Sequence, residues 1–311
     1  MGRFIFRLAG ALALVFAGAV ALLAREVNHA PLSPDYYLAY RFFISSTLRF
    51  SVVRLDSHQP QPQPQSGIVV LLSACAPNGN YLAVLADQLY VLSADDQQRA
   101  ALPFEGALLD QITVSNTGEA VVSMARLQYS PPTYLLYRAD FAAHRLTELP
   151  MQGSAVLRAP ALAPDGQRIA MTMSSLQNPP QTGVIVADMR SAVPTVAEAW
   201  SPAWSPEGDM IAFIRQIDDN YQVFIKDMRT LAEMQVTRDE IAKRWPVWSP
   251  DGRHLLYVRS RGSQSEVYVV NWDSSVREQF SLPESRTTRN FSLEGACFLT
   301  FQPNLLDAVT S

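Results

Sequence analysis

One short phrase recurs along this chain and limits what it can fold into. Trp248-Ser249-Pro250-Asp251-Gly252 runs through Arg253 and His254 into the apolar Leu255-Leu256-Tyr257, and Trp204-Ser205-Pro206-Glu207-Gly208 repeats it almost residue for residue. Proline pre-sets φ at the second position of a tight turn, the acidic side chain bonds its own backbone, and glycine takes the positive φ that ends the turn. Related phrases stand at Cys75-Ala76-Pro77-Asn78-Gly79, Ser115-Asn116-Thr117-Gly118 and Leu162-Ala163-Pro164-Asp165-Gly166, with a worn copy at Phe291-Ser292-Leu293-Glu294-Gly295. The six glycines lie 39, 48, 42, 44 and 43 residues apart. Such a period marks an internal repeat, and it must be recognised before any element is assigned.

Each turn leads into a short apolar run, such as Tyr81-Leu82-Ala83-Val84 or Ile211-Ala212-Phe213-Ile214. A polar link follows, then a second run such as Leu89-Tyr90-Val91-Leu92 or Val223-Phe224-Ile225-Lys226-Asp227. Each interval holds four short strands, one of them before the turn, and has almost no room for a helix. Four strands per roughly 40 to 45 residues is the spacing of a β-propeller blade.

The Trp-Ser-Pro-Asp-Gly phrase at this period, with Asp after the third strand, resembles the TolB-like six-bladed β-propeller family and the propellers of prolyl oligopeptidases. The resemblance covers the chain from about Leu71 to Phe301 and is carried best by the copies at Gly208 and Gly252. It implies an all-β domain of four-stranded blades with a role in the cell envelope. No residues remain for a hydrolase domain.

The ends suggest how such a ring closes. Leu38 through Ser57 can be laid on Leu255 through Ser274 at constant offset, both reading strand, polar link, strand, Asp-Ser. The segment Tyr36 to Asp56 is therefore expected to supply strands to a C-terminal blade whose turn lies near Gly295, leaving no open edge. Phe298 to Phe301 competes for one of those strand positions, so seven blades stand as the alternative to six.

Arg3 and Arg7 precede an uncharged run from Leu8 to Leu23. Residues 1–30 read as a hydrophobic helix serving either as a retained signal anchor or as a cleaved signal peptide, with residues 31–311 as the propeller outside the cytoplasm. Gln59 to Gln65 alternates Pro with Gln and reads as a solvent-exposed, extended connector. Without the first thirty residues the chain has 22 basic and 28 acidic residues and shows no basic stripe, which argues against a nucleic-acid binder.

Cys75 and Cys297 fall in the first and last repeats. An exported protein can oxidise them. Because Cys75 precedes its turn and Cys297 follows the one near Gly295, a Cα separation beyond the roughly 7 Å limit is expected, and with it two separate buried thiols. His254, between turn and strand, is expected to face solvent, and Asp218-Asp219-Asn220 to form a hairpin tip. The sequence carries no nucleophile elbow, His-Glu-x-x-His, phosphate loop or Cys-x-x-Cys. No catalytic residue, metal ligand or cofactor is assigned.

In a propeller the strand before the turn lines a central channel. Counting eight residues back from each glycine gives Leu71, Asp110, Arg158, Trp200, Arg244 and Thr287, expected at one height around one mouth. Arg158, Trp200 and Arg244, with Trp245 and Asp110, form the candidate partner-binding set, since Arg and Trp dominate binding hot spots. Trp204 and Trp248, inside the repeat phrase, are expected to pack between blades. The reading is a non-enzymatic scaffold that binds a protein or peptide at the channel mouth. A hydrolase or lyase with its site in the channel is the alternative, and it requires inward carboxylates or histidines.

Overall fold

A computed structural model describes residues 31–44, 47–56, 70–86, 88–95, 97–100, 108–126, 133–143, 145–149, 155–175, 181–188, 192–261, 264–273, 277–280, 282 and 291–303. The N-terminal segment 1–30, the connector Gln59–Gln65 and Thr287 lie outside the described residues. Among the described residues there is no helix, and so none long and apolar enough to cross a membrane.

The strands run β1 (Tyr37–Ile44), β2 (Thr47–Arg54), β3 (Leu72–Cys75), β4 (Leu82–Leu85), β5 (Leu89–Leu92), β6 (Gln97–Ala100), β7 (Leu108–Val114), β8 (Ala120–Arg126), β9 (Thr133–Asp140) and β10 (Arg145–Glu148). They continue through β11 (Ala155–Leu162), β12 (Ile169–Ser175), β13 (Thr182–Ala187), β14 (Ala192–Ala197), β15 (Ala199–Trp204), β16 (Met210–Ile217), β17 (Asn220–Asp227) and β18 (Glu233–Gln235). The last are β19 (Lys243–Trp248), β20 (His254–Arg261), β21 (Gln264–Asn271), β22 (Arg277–Phe280) and β23 (Phe291–Leu299). Among the described residues they form five four-stranded antiparallel meanders, beginning at β3, β7, β11, β15 and β19, and one three-stranded sheet ordered β2-β1-β23.

Burial follows strand position. Every residue of β4 and β5 is buried, because both faces of these middle strands are covered by neighbouring sheets, which is why they read as continuous apolar runs rather than alternating ones. The outer strands β10 and β18 are largely exposed and polar. The core is divided into six clusters, each lying between successive sheets, and the last of them joins the β19 sheet to the β1–β23 sheet. The sheets therefore follow one another in a closed cycle.

Tyr36 to Asp56 supplies two strands to the C-terminal sheet, as the offset alignment anticipates. The offset of 217 carries β20 onto β1 and β21 onto β2 residue for residue. The turn near Gly295 is not borne out. Gly79, Gly118, Gly166, Gly208 and Gly252 have φ between 69° and 82°, whereas Gly295 lies inside β23 opposite Arg41. A sheet whose first and second strands come from opposite ends of the chain has no corner between them, so the 43-residue spacing there does not mark a turn. Phe298 and Leu299 belong to β23, pairing with Leu38 and Tyr37, and so do not compete with β1 for a place.

With the corner gone, the expectation of separate thiols falls. Cys297 lies in the first strand of its sheet just as Cys75 does, and their Cα atoms are 5.7 Å apart, bridged by a disulfide. His254 is also corrected: it is 5% exposed. The His254 ring lies 3.6 Å from the Asp251 carboxylate of its own corner, and at two other corners the residue two past the glycine reaches the next sheet. Arg168 stacks on Trp204 at 4.6 Å and bonds Gly208 O, and the Tyr81 ring abuts Gly118. Asp218 and Asp219 do cap the β16–β17 hairpin.

The corner at Gly252 shows the local chemistry. Gly252 N bonds Ser249 O at 2.9 Å, and Asp251 Oδ1 accepts from Arg253 N at 3.0 Å. Burial alone would raise the Asp251 carboxyl, but the adjacent His254 ring, the Ser249 hydroxyl and the Arg253 amide outweigh it and hold it at about 2, below its ordinary 3.8. A carboxyl lowered in the folded state stabilises above its unfolded value, and that contribution is lost as pH falls from about 4 through 2. Urea midpoints recorded from pH 5 to pH 2 should therefore drop more steeply for the wild type than for Asp251→Asn. Parallel profiles would show that Asp251 is not held in this way.

Candidate binding site at the channel mouth

The first strands of all six sheets face a common channel with a cavity of about 230 Å³. Its two ends differ. At the corner end, Asn116 ties four sheets together: its N bonds Pro164 O at 3.2 Å, its Nδ2 bonds Pro206 O at 3.1 Å, and its Oδ1 accepts from Asn78 N at 2.9 Å. Sheets that are not neighbours in the cycle thus touch across the axis. A Cβ added to Gly79 would lie 2.9 Å from Pro250 Cγ, and Thr300 N bonds Gly79 O at 3.0 Å. These contacts tie the corners to one another at this end.

Register fixes which residues share a height at the other end. Arg158 pairs with Thr172, Trp200 with Ile214 and Arg244 with Val258, the same rung in three consecutive sheets. Just below each lies a bulge in which two residues oppose one: Ala159-Pro160, Ser201-Pro202 and Trp245-Pro246. The first of each pair has a left-handed φ near 51°, an uncommon state for residues with a side chain. Bulges of this kind re-aim side chains next to functional surfaces.

In the other three sheets no bulge falls below that rung, the β7 and closing sheets having theirs one step farther out at Asp110 and Glu294, so the eight-residue count slips there. Leu72, not Leu71, occupies the matching rung in the β3 sheet. In the β7 sheet the corner is one residue shorter and Gln111 takes the place expected for Asp110. In the closing sheet the rung belongs to Gly295, and the Arg41 guanidinium lies beside the space a Cβ would fill, its Nη1 donating to Leu71 O. Leu71 and Asp110 stand one residue farther out. Counting back from glycines missed Arg41, yet the 217 offset superposes it on Val258, the partner of Arg244, and could have found it.

The mouth has definite chemistry. Arg158 and Arg244 are exposed, and the Arg244 guanidinium lies 5.3 Å from the Trp245 ring, which also faces the channel. Trp200 meets Tyr221 edge-on at 5.8 Å. Burial raises the Asp110 carboxyl, while the Ser123 hydroxyl, 3.2 Å away, and the charge of Arg158 lower it. Among the described residues five large apolar side chains are exposed, and three of them, Leu71, Ile217 and Tyr221, lie at this end. Trp204 and Trp248 behave as expected of packing residues: both are buried, and their Nε1 atoms bond Ala161 O and Ala203 O of the preceding sheet, each at 3.1 Å. Among the described residues the channel lining includes no Asp, Glu or His, and no group of three or more metal-binding side chains gathers anywhere.

Antiparallel meanders packed face to face in a closed cycle around a channel define a β-propeller. The family model described as the TolB beta propeller domain matches residues 122–304, and the chain belongs to that family. No curated protein matches the sequence. Among solved structures, TolB from Acinetobacter baumannii superposes with a TM-score of 0.68 at 16% identity, covering 89% of this chain and 69% of that one. An oligogalacturonate lyase in complex with manganese superposes at 0.56 with 12% identity, covering 79% and 78%. A chain of a nidogen–laminin complex does so at 0.57 with 9% identity, covering 85% and 98%. At these identities the likeness is one of fold, and this fold carries both binding proteins and enzymes.

Proposed function

We propose that this chain is a six-bladed propeller of the cell envelope that docks a protein or peptide at the open mouth of its channel and performs no chemistry of its own. The observation carrying this reading is the contrast between the two ends. At one the corners are tied together by the Asn116 contacts; the other presents Arg158, Trp200, Arg244 and Trp245 among exposed apolar side chains. Aromatic and arginine side chains around a concave centre are the usual anchors of an interface. Among the described residues the channel wall includes none of the carboxylates and histidines that a hydrolase or lyase site would need, which favours docking over the enzyme reading. Residues 1–30 would hold the protein in the membrane or direct its export, and residues 31–311 would form the propeller on the non-cytoplasmic side. The Cys75–Cys297 bridge supports this placement, since disulfides persist in oxidising compartments.

Affinity capture from solubilised membranes, comparing wild type with Arg158→Ala/Arg244→Ala, should show a specific partner retained by the first and reduced at least about tenfold in the second. Identical partner lists would refute docking at the mouth. N-terminal sequencing of the membrane-associated protein separates anchor from cleaved signal, because a start near Leu22 removes the anchor.

A further inference from the structure

We infer that the propeller hangs from its corner end, so that an N-terminus held in the membrane keeps the mouth clear of the bilayer and open to a partner that arrives through water; this rests on residues 1–30 acting as the anchor proposed above. The chain enters the fold at the corner end. The offset of 217 that lays β20 on β1 also lays Arg253, the residue after the Gly252 corner, on Tyr36. Leu55 N bonds Tyr36 O at 3.0 Å, the counterpart of Trp272 N bonding Arg253 O at 3.4 Å. The chain also leaves its last strand there. Thr300, one past β23, donates from its N to Gly79 O at 3.0 Å and from its Oγ1 to Asn80 Oδ1 at 2.8 Å.

The entry is clamped. Arg54, at the end of β2, donates to Asp35 Oδ1 at 2.7 Å and lies 3.3 Å from Asp56 Oδ2, while the Tyr36 ring meets Phe298 edge-on at 6.4 Å. Leu32 packs on the same core cluster as Tyr36, so a tether has no slack beyond Leu32. Seven residues, Arg25 to Pro31, separate Leu32 from the uncharged stretch that ends at Ala24. Fully extended they span at most about 25 Å, of which roughly 5–7 Å crosses the headgroup layer. The corner end and the mouth stand about 27 Å apart along the eight residues of β1. Such a tether is too short to bring the mouth down onto lipid. The partner that fits is one that reaches Arg158, Trp200 and Arg244 through water, not one that offers its docking segment at the lipid surface.

The full chain in vesicles of phosphatidylethanolamine and phosphatidylglycerol tests this by energy transfer to rhodamine-bearing headgroups. Glu207, beside the Gly208 corner, and Asp219, at the tip of the β16–β17 hairpin, are exposed at opposite ends of one sheet. The native cysteines are bridged, so Glu207→Cys and Asp219→Cys each offer one free thiol. A membrane-impermeant maleimide donor added after reconstitution labels only propellers outside the vesicle. With about 27 Å between the two ends, transfer from position 207 should be at least about twofold more efficient than from position 219. Chain that floats with the vesicles but transfers equally from both positions, or better from 219, overturns the hanging orientation and leaves the anchor standing. Chain that does not float overturns the anchor and this orientation with it, while a partner captured by wild type and lost from Arg158→Ala/Arg244→Ala would still support docking at the mouth.

Discussion

Replacing both cysteines with alanine should lower the unfolding free energy by about 3–5 kcal/mol. The bridge joins β3 of the first meander to β23 of the closing sheet across 222 residues of sequence, so it fastens covalently the C-terminal strand that otherwise joins the cycle only through its pairing with β1. A cross-link over so long a loop restricts the unfolded chain strongly, and the chain-entropy estimate passes about 4.7 kcal/mol already for a 100-residue loop, with real bridges commonly giving somewhat less. Without the bridge, closure rests on the hydrogen-bonded pairing of β1 with β23 and on the clusters flanking it. Denaturant unfolding of wild type with and without reductant, beside Cys75→Ala/Cys297→Ala, tests this. Reduced wild type should match the variant, and the variant should ignore the reductant. A variant as stable as oxidised wild type would mean that the bridge is absent or energetically idle.

Trp248→Ala should cost about 3–5 kcal/mol, the range for removing a buried Trp. Its ring is 3% exposed, packs edge-on against Trp272 at 6.3 Å, and fills the interface between the β15 and β19 sheets beside Ile214, Tyr257 and Val270. Its Nε1 bond to Ala203 O is a direct tie between those sheets, and truncation would strand that carbonyl as well as open a cavity. Trp200→Ala, at the mouth, should cost a fraction of that in stability and act on partner binding instead. Urea midpoints for the two variants measured side by side separate these roles. A Trp248→Ala protein of near wild-type stability would contradict the blade-packing account, and a Trp200→Ala protein as damaged as Trp248→Ala would reassign Trp200 to the core.

The repeat fold was legible because each corner encodes itself. In four corners proline, an acidic or amide residue and glycine sit at fixed offsets, the corner at Gly118 has Asn116-Thr117 instead, and five of the six glycines read as corners adopt the left-handed conformation. Head-to-tail closure was legible for a related reason, since β1 and β2 carry the apolar rhythm of β20 and β21. What escaped depended on pairing across space. Gly295 looked like a corner because it completed the period, but its role is to face Arg41 within a strand. That one misreading moved Cys297 to the wrong side of an imaginary turn and hid the disulfide. The mouth was half legible. Arg158, Trp200 and Arg244 share a rung because three sheets carry the same X-Pro bulge, while Leu71 and Asp110 slipped by one because theirs do not. The Pro at 160, 202 and 246, six before each corner glycine, was the signal that separated the two halves of the ring. Asn116, which ties the corners together at the far end, has only local meaning in the sequence and gains its role from sheets up to 90 residues away.

Hydroxyl-radical footprinting of the chain with and without its captured partner addresses docking at the mouth most directly. Trp200, Tyr221 and Leu71, all at the open end, should lose oxidation in the complex, while Leu231 and Met234, exposed along the outer edge of the β15 sheet, should oxidise as before. Protection of Leu231 and Met234 with Trp200 and Tyr221 still reactive would place the partner on the blade edge and contradict the account.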